Sequence, residues 1–293
     1  MARNRVFSAT AVFDWSGAAG ERLPGMALAV KRAGQPAQLI VPEGGWSRAR
    51  ALAWIEQRIA AQDDILIGLD VSAGLPFADH DAYFPGWEET PPDARALWSL
   101  VELYAREDPH YAANRFVAHP EASRYFRQTG ALGDRYGEAR SGRLRVTEMA
   151  SREAGIANPY CSLNLVGAAQ VGKSSLTAMR LLHRLNGRIA IWPMDPLPAT
   201  GPALIEIYTS IAAVHLGLRK GRTKVRDRES LEAMFSAIDE PPPALLAQYD
   251  DHSTDALLTA VWLHRAQHEQ SLWNPYGLDK YLERTEGWTF GVA

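Results

Sequence analysis

The sequence predicts an α/β fold built on a mixed sheet. Three short apolar runs follow one another closely near the N-terminus, a longer apolar run ends in an acid at residue 70, and strand-like runs return after residue 186 ahead of a strong helical stretch.

Taken in order, "ATAVFDWS" reads as a buried strand ending in Asp14. "GMALAVKR" follows a Pro-Gly turn signal, and "AQLIVP" follows Gly34 to Pro36. Connections this short join antiparallel neighbours, so the three form a meander. In "SRARALAWIEQRIAAQ", Ala51, Leu52, Ile55 and Ile59 recur at helical spacing, with Ser47 as N-cap. "DILIGLDVSAGLP" is continuous apolar sequence ending in Asp70, as expected of a strand buried on both faces. Residues 78–186 are rich in Trp, Tyr, Arg and Pro and mostly helical in pattern, as in "PDARALWSLVELYARE". They read as a helical insertion within one domain spanning 1–293. Strand character returns in "GRIAIWPMD" and "ALIEIYTS". A mixed segment with a basic run follows, then the helix "DDHSTDALLTAVWLHRAQ", with Asp251 or Ser253 as N-cap and Asp255 in its first turn.

Bulk properties narrow the function classes. The chain of 293 residues is 46% hydrophobic and 22% charged, ample for one large domain. A net charge of −3 gives no whole-chain attraction to nucleic acid, which leaves only a local patch. The single cysteine, Cys161, excludes an intrachain disulfide and a cysteine-based zinc site, and reads as a small core residue. Arg3 and Arg5 precede an apolar run that Asp14 interrupts before it reaches signal-peptide length. No apolar run approaches the about 18 residues of a membrane span. A cytoplasmic protein with no membrane partner is expected.

"GAAQVGKSS" contains G-x-x-x-x-G-K-S from Gly167 to Ser174, the P-loop pattern of nucleotide-binding phosphotransferases. That reading needs "SLNLV" to be a parallel strand, with Lys173 on the terminal phosphates and Ser174 on magnesium. Past residue 175 only two strands are expected, about ten residues apart, and the candidate magnesium acid, Asp195, is flanked by Pro193 and Pro196. The competing reading is a Gly-rich turn entering a helix, with Lys173 solvated.

Four acids sit where elements begin or end: Asp14, Asp70, Glu206 and Asp255. A carboxylate in apolar surroundings needs hydrogen bonds, a cation or a metal. If the first and fourth strands are neighbours, Asp14 and Asp70 face each other. Magnesium or manganese would relieve their repulsion and support phosphodiester cleavage. Each acid also has a structural reading: turn capping for Asp14 and Asp70, a half-exposed strand face for Glu206, and the positive helix end for Asp255.

The segments "FDWSGA", "IGLDVSAGLPF", "LVGAAQVGKSSL", "RIAIWPMD", "LIEIYTS", "KVRDRESLEAMF", "STDALLTA" and "EGWTFGV", spread over residues 13–292, resemble a domain-of-unknown-function family of predicted ribonuclease H-like nucleases. The resemblance implies a ribonuclease H-like five-stranded mixed sheet, a metal-dependent hydrolase acting on nucleic acid, Asp14, Asp70 and Asp255 as ligands of Mg2+ or Mn2+, and Glu206 as a further catalytic acid. It also marks Asp227 as a family position. The family has a Tyr-Pro pair where this chain has Tyr208 and Thr209, and its Gly-rich turn usually lacks the lysine found here at Lys173.

Further candidates are the basic run Arg219 to Arg228, with six Lys or Arg, and the aromatic-rich stretch 83–136, which could stack on bases or pack in the core. His252 is a candidate proton carrier beside Asp255. The alternatives that stay open are a nucleotide-binding ATPase or phosphotransferase, P-loop-like or actin-like, and a non-catalytic binding module on the same scaffold.

Overall fold

The computed structural model describes residues 5–137, 141–167, 170–220 and 224–293. Its main sheet has six strands: β1 (Ala9–Asp14), β2 (Ala27–Arg32), β3 (Gln38–Ile40), β4 (Ile65–Asp70), β7 (Ala190–Trp192) and β8 (Ala203–Ile207), in the order β3-β2-β1-β4-β8-β7. β1, β2 and β3 pair antiparallel as a meander, while β1, β4, β8 and β7 run parallel. The sheet is therefore mixed α/β with the six strands read from the residues, one more than the five that the resemblance implies. The three-residue edge strand β7, within "GRIAIWPMD", is joined to its parallel neighbour β8 by residues 193–202 without a helix.

Helix α1 (Arg48–Ala60) starts where Ser47 accepts a hydrogen bond from the Arg50 amide, and it buries Ala51, Leu52 and Ile55. Between β4 and β7 lie α2 (Ala94–Ala105), α3 (Asn114–Ala118), α4 (Val146–Glu153) and α5 (Val171–Leu185). A small hairpin of β5 (Arg127–Gln128) and β6 (Ala131–Leu132) forms where helical sequence was expected, turning at Gly130 with φ +74. The aromatics of this region are core. Tyr83, Phe84, Phe116, Tyr125 and Phe126 are fully buried, with Phe84 edge-on to Tyr125 and Phe116, so they are not available to stack on bases. Cys161 is buried and its thiol is pushed up to about 12 by burial, which keeps it unreactive.

After β8 come α6 (Thr209–His215), α7 (Arg228–Ala237), α8 (Asp251–Ala266), α9 (Gln270–Trp273) and α10 (Lys280–Arg284). The sheet is covered on both faces. Ala11, Phe13, Leu28, Ile67 and Leu69 pack in one apolar cluster with residues of α1, α2 and α5. Val12, Ala29, Leu66, Ile205 and Ile207 pack in a second cluster with α6 and α8. The alternation along each strand assigns every side chain to a face, and that assignment decides which acids can meet. Helix α8 is buried from Ser253 to Leu263, as a helix apolar nearly all round should be. The Thr10 hydroxyl donates to the Ala260 carbonyl at 2.8 Å, fastening α8 across β1.

Candidate active site

β1 and β4 pair in parallel with Phe13 opposite Leu69, so Asp14 and Asp70 follow side by side on the face that α8 covers. Asp250, rather than Asp251 or Ser253, caps α8 by accepting from the Ser253 amide at 2.8 Å. Asp255 therefore lies one turn further into the helix than expected, over the ends of the two strands. Asp14 and Asp255 are 6% and 5% exposed.

The three carboxylates act on one another. Burial, then the charges of Asp14 and Asp255, push the Asp70 carboxyl up to about 8. Burial raises Asp255 to about 6, opposed by Lys224 and reinforced by Asp14. Burial also raises Asp14, against the pull of His252 and Lys224. Each has found a different donor. His252 Nδ1 is 3.2 Å from Asp14 Oδ1. Thr209 donates its hydroxyl (3.2 Å) and its amide (3.4 Å) to Asp70. The Lys224 ammonium binds Asp255 Oδ2 directly. A proline at position 209, as in the resembling family, would lack the amide donor; here Thr209 supplies both a donor and the first residue of α6. His252 thus serves Asp14 rather than Asp255, and the bond to Asp14 raises its own pKa.

As they stand, no three of the described His, Cys, Asp or Glu side chains are arranged to hold a metal ion. The donor set nevertheless has the chemistry for one: hard oxygens only, mutual repulsion, and a lysine ammonium already drawn in as counter-charge.

Glu206 does not join the cluster. In the β4–β8 register it lies opposite Leu69, one residue out of step with Asp70, and so projects from the other face. There its two oxygens take a bidentate Arg145 guanidinium (2.6 and 2.8 Å), the Ala73 amide (2.7 Å) and the Thr289 hydroxyl. Arg145 is 2% exposed and also binds Glu148, which returns to the Arg145 amide to cap α4. Nearby Glu286 accepts the amides of Phe77, Ala78 and Val146. Both oxygens of Glu206 have donors, and the structure does not bring it to Asp14, Asp70 and Asp255 as expected of a fourth acid. The sequence signal for this bracing network was the closing "EGWTFGV", which supplies Glu286 and Thr289.

A cleft of about 340 Å³ opens at the C-terminal ends of β1, β4 and β8, with Asp70, His252, Ser16, Ser72, Tyr160 and Tyr208 on its walls. The start of α5 forms one side. Gly172 of the motif is fixed by packing there: a Cβ on it would lie 2.5 Å from the Ser162 carbonyl, and just past the motif the Ser175 hydroxyl accepts the Ser72 amide at 2.9 Å. Where "SLNLV" was expected to be a strand there are turns and one isolated bridge, Arg127 to Asn164. The parallel strand that a P-loop requires is therefore not present. Asp195 is paired with Arg95 instead of serving a phosphate site. Ala168 and Ala169, inside the Gly167–Ser174 motif, lie outside the described residues, as do residues 221–223 of the basic run.

Lys224, Arg226 and Arg228 of that run are spent on acids around α8 and α7. Beyond Lys224, Arg226 forks onto Asp251 (2.6 and 2.8 Å) and Arg228 pairs with Glu232. Asp227 caps α7 through the Ser230 amide. No helix is long and apolar enough to cross a membrane among the described residues. No protein-family model, curated protein or solved structure matches the chain.

Proposed function

We propose that the protein is a metal-dependent phosphodiester hydrolase acting on nucleic acid, with Asp14, Asp70 and Asp255 as the groups that hold magnesium or manganese. The observation that carries this is one of charge. Three carboxylates distant along the chain gather at the ends of β1 and β4, where Asp70 lines the cleft. Burial, reinforced by the charges of Asp14 and Asp255, holds Asp70 near 8. Perturbed acids in a cleft mark functional sites more often than structural ones. The ribonuclease H-like resemblance points the same way, since an antiparallel meander followed by parallel strands, with acids at the ends of β1 and β4, is the pattern it implies.

A divalent ion bound there supplies a hydroxide from water at neutral pH and neutralises the charge that develops on a phosphate. The chain's own residues do the rest. Asp14, Asp70 and Asp255 turn from their present donors to bind. Lys224 releases Asp255 and remains as a positive group beside a phosphate. His252, whose pKa the bond to Asp14 raises, stands at the cleft wall as a group that gains positive charge more readily than a free imidazole. Burial beneath α8 keeps the carboxylates from bulk water, which strengthens each of these interactions.

The test is hydrolysis of single- and double-stranded DNA and RNA oligonucleotides with Mg2+ or Mn2+, by the native chain and by Asp14→Asn. Cleavage that the substitution abolishes is the expected result. Equal cleavage by both, or none by the native chain on any of the four substrates, ends the proposal. Binding without cleavage would leave the scaffold as a non-catalytic module.

A further inference from the structure

A second cleft of about 340 Å³ lies beside the first, and the two share Gly17 and Ala18 as a common wall. The loop holding those residues leaves β1 just after Asp14. Gly17 is pressed against α5 so closely that a Cβ would lie 2.5 Å from the Ser174 amide nitrogen and 2.7 Å from Lys173 Cβ. The wall is thus thin and fixed, and a chain-like ligand lying over the acids would pass across it.

The second cleft contains Arg48, which is 2% exposed. Its guanidinium donates to three carbonyls: His110 (2.9 Å), Ser16 (2.8 Å) and Ala18 (2.7 Å). Its Nε has no partner, and it forms no ion pair with any described carboxylate. The charged group that acts on it is another cation, Arg180, whose own charge is spent on Glu102. Burial and Arg180 together pull Arg48 down to about 10. The other buried arginines of this fold are answered by acids: Arg145 by Glu206 and Glu148, Arg143 by Asp79, Arg180 by Glu102. Burying a guanidinium with no counter-charge is costly, and an anion delivered to the cleft would remove the cost.

Lys173 stands at the same cleft. It is exposed, and its ammonium makes no hydrogen bond or ion pair among the described residues. The remaining lining mixes amide and hydroxyl groups, from Asn114, Gln128 and Thr129, with an apolar floor of Leu165 and Leu176. That combination suits a phosphate carrying an organic ring better than a bare inorganic ion.

We infer that this second cleft is a subsite for a nucleotide next to the scissile one, with its phosphate held between buried Arg48 and exposed Lys173. The inference rests on the nucleic-acid reading of the first cleft and gives it a direction. The bound strand runs from the acids over Gly17 and Ala18 toward α3 and the β5–β6 hairpin. The carbonyls of Ser16 and Ala18 accept from Arg48, so the same guanidinium that meets the phosphate also holds the loop leaving Asp14.

The test is fluorescence anisotropy with a labelled ten-nucleotide single strand, titrated against the native chain, Lys173→Glu and Arg48→Lys. Binding is read at several salt concentrations with Ca2+ in place of Mg2+, and cleavage is assayed in parallel. Lys173 is exposed, so its variant should keep the native melting temperature, which is checked first. The expected result is at least a roughly tenfold loss of affinity in Lys173→Glu and a salt dependence shallower by about one phosphate contact. Arg48→Lys, which keeps the charge but not the fork, should weaken binding by a smaller factor. Unchanged affinity and salt slope in Lys173→Glu would overturn the subsite even if the native chain cleaves. Lys173-dependent binding with no cleavage would sustain the subsite while removing the hydrolase. Inorganic phosphate that protects the native chain as well as the strand does would also overturn it, since the organic part would then contribute nothing.

Discussion

The molecule buries two clusters of acids on opposite faces of one sheet, and they are built differently. Around Glu206, three acids share one arginine, but donors fill them: Arg145 lies between Glu206 and Glu148, Glu206 also takes the Ala73 amide and the Thr289 hydroxyl, and Glu286 takes three backbone amides. Around Asp14, three acids meet Lys224 and His252 but have few other donors. Asp70 has only a threonine, and Asp14 shares a half-exposed histidine. A fully hydrogen-bonded network rigidifies a fold, whereas carboxylates left short of donors hold an affinity in reserve for a cation. The contrast separates brace from site more sharply than burial does, because Glu206 and Asp255 are almost equally buried.

The strongest way to break the comparison is to neutralise one acid from each side. Glu206→Gln leaves the Arg145 guanidinium short of a partner and should cost about 3–5 kcal/mol in urea unfolding. Asp70→Asn should leave the metal-free protein as stable or more stable, since it relieves repulsion. If Glu206→Gln proved the milder of the two, the assignment of brace and site would be reversed.

Manganese sharpens the same point. At about a hundredfold excess over its dissociation constant it should stabilise the native chain by about 2.7 kcal/mol in a thermal shift assay. That gain should vanish in Asp14→Asn or Asp70→Asn. A shift that survives both substitutions would place the ion elsewhere.

The pH dependence follows from the burial of these acids, reinforced by their mutual repulsion. Asp70 titrates at about 8 in the fold against an ordinary 3.8, and Asp255 at about 6, so the folded chain holds these protons more tightly than the unfolded one. Their contribution to stability is complete below pH 3.8 and drains away as the pH rises through about 6 and then about 8. The metal-free melting temperature should therefore carry a downward component across this window, and Asp70→Asn should flatten it. Equal slopes in the two proteins would mean that Asp70 is not the group.

The smallest effect is expected from Lys224→Met. The ammonium on Asp255 competes with any ion for the same oxygens. Its removal should lower the manganese concentration needed for half-maximal thermal protection. An increase would make Lys224 a partner of the site and not a competitor.

Much of the scaffold was legible because it depends on local pattern. The meander, α1, β4, β8 and α8 announce themselves through apolar periodicity and turn residues, and the strand-end positions of Asp14 and Asp70 come with them. The β5–β6 hairpin was not legible in the same way. Strands this short carry no periodicity, and pairing across the sheet is what forms them. The face that Glu206 takes was not legible for a related reason. Its apolar neighbours mark a strand, but nothing local tells which face a strand residue takes, and a single step of register sent it to Arg145. The lysine of "GKSS" looked like a phosphate loop because eight residues can match a pattern whose meaning lies in the strand before it. Arg48 gave no signal at all, since it sits among exposed neighbours at a helix start.

By itself, the sequence determined the strands of the main sheet, helices α1 and α8, and that acids close the first and fourth strands, because hydrophobic period acts over a few residues. Tertiary structure alone decided that Asp255 joins those two acids, that Glu206 is answered by an arginine some sixty residues earlier, and that Arg48 is left without an acid. Charges interact through space at distances the chain order does not encode, so neutrality or excess at any point is a property of the folded arrangement.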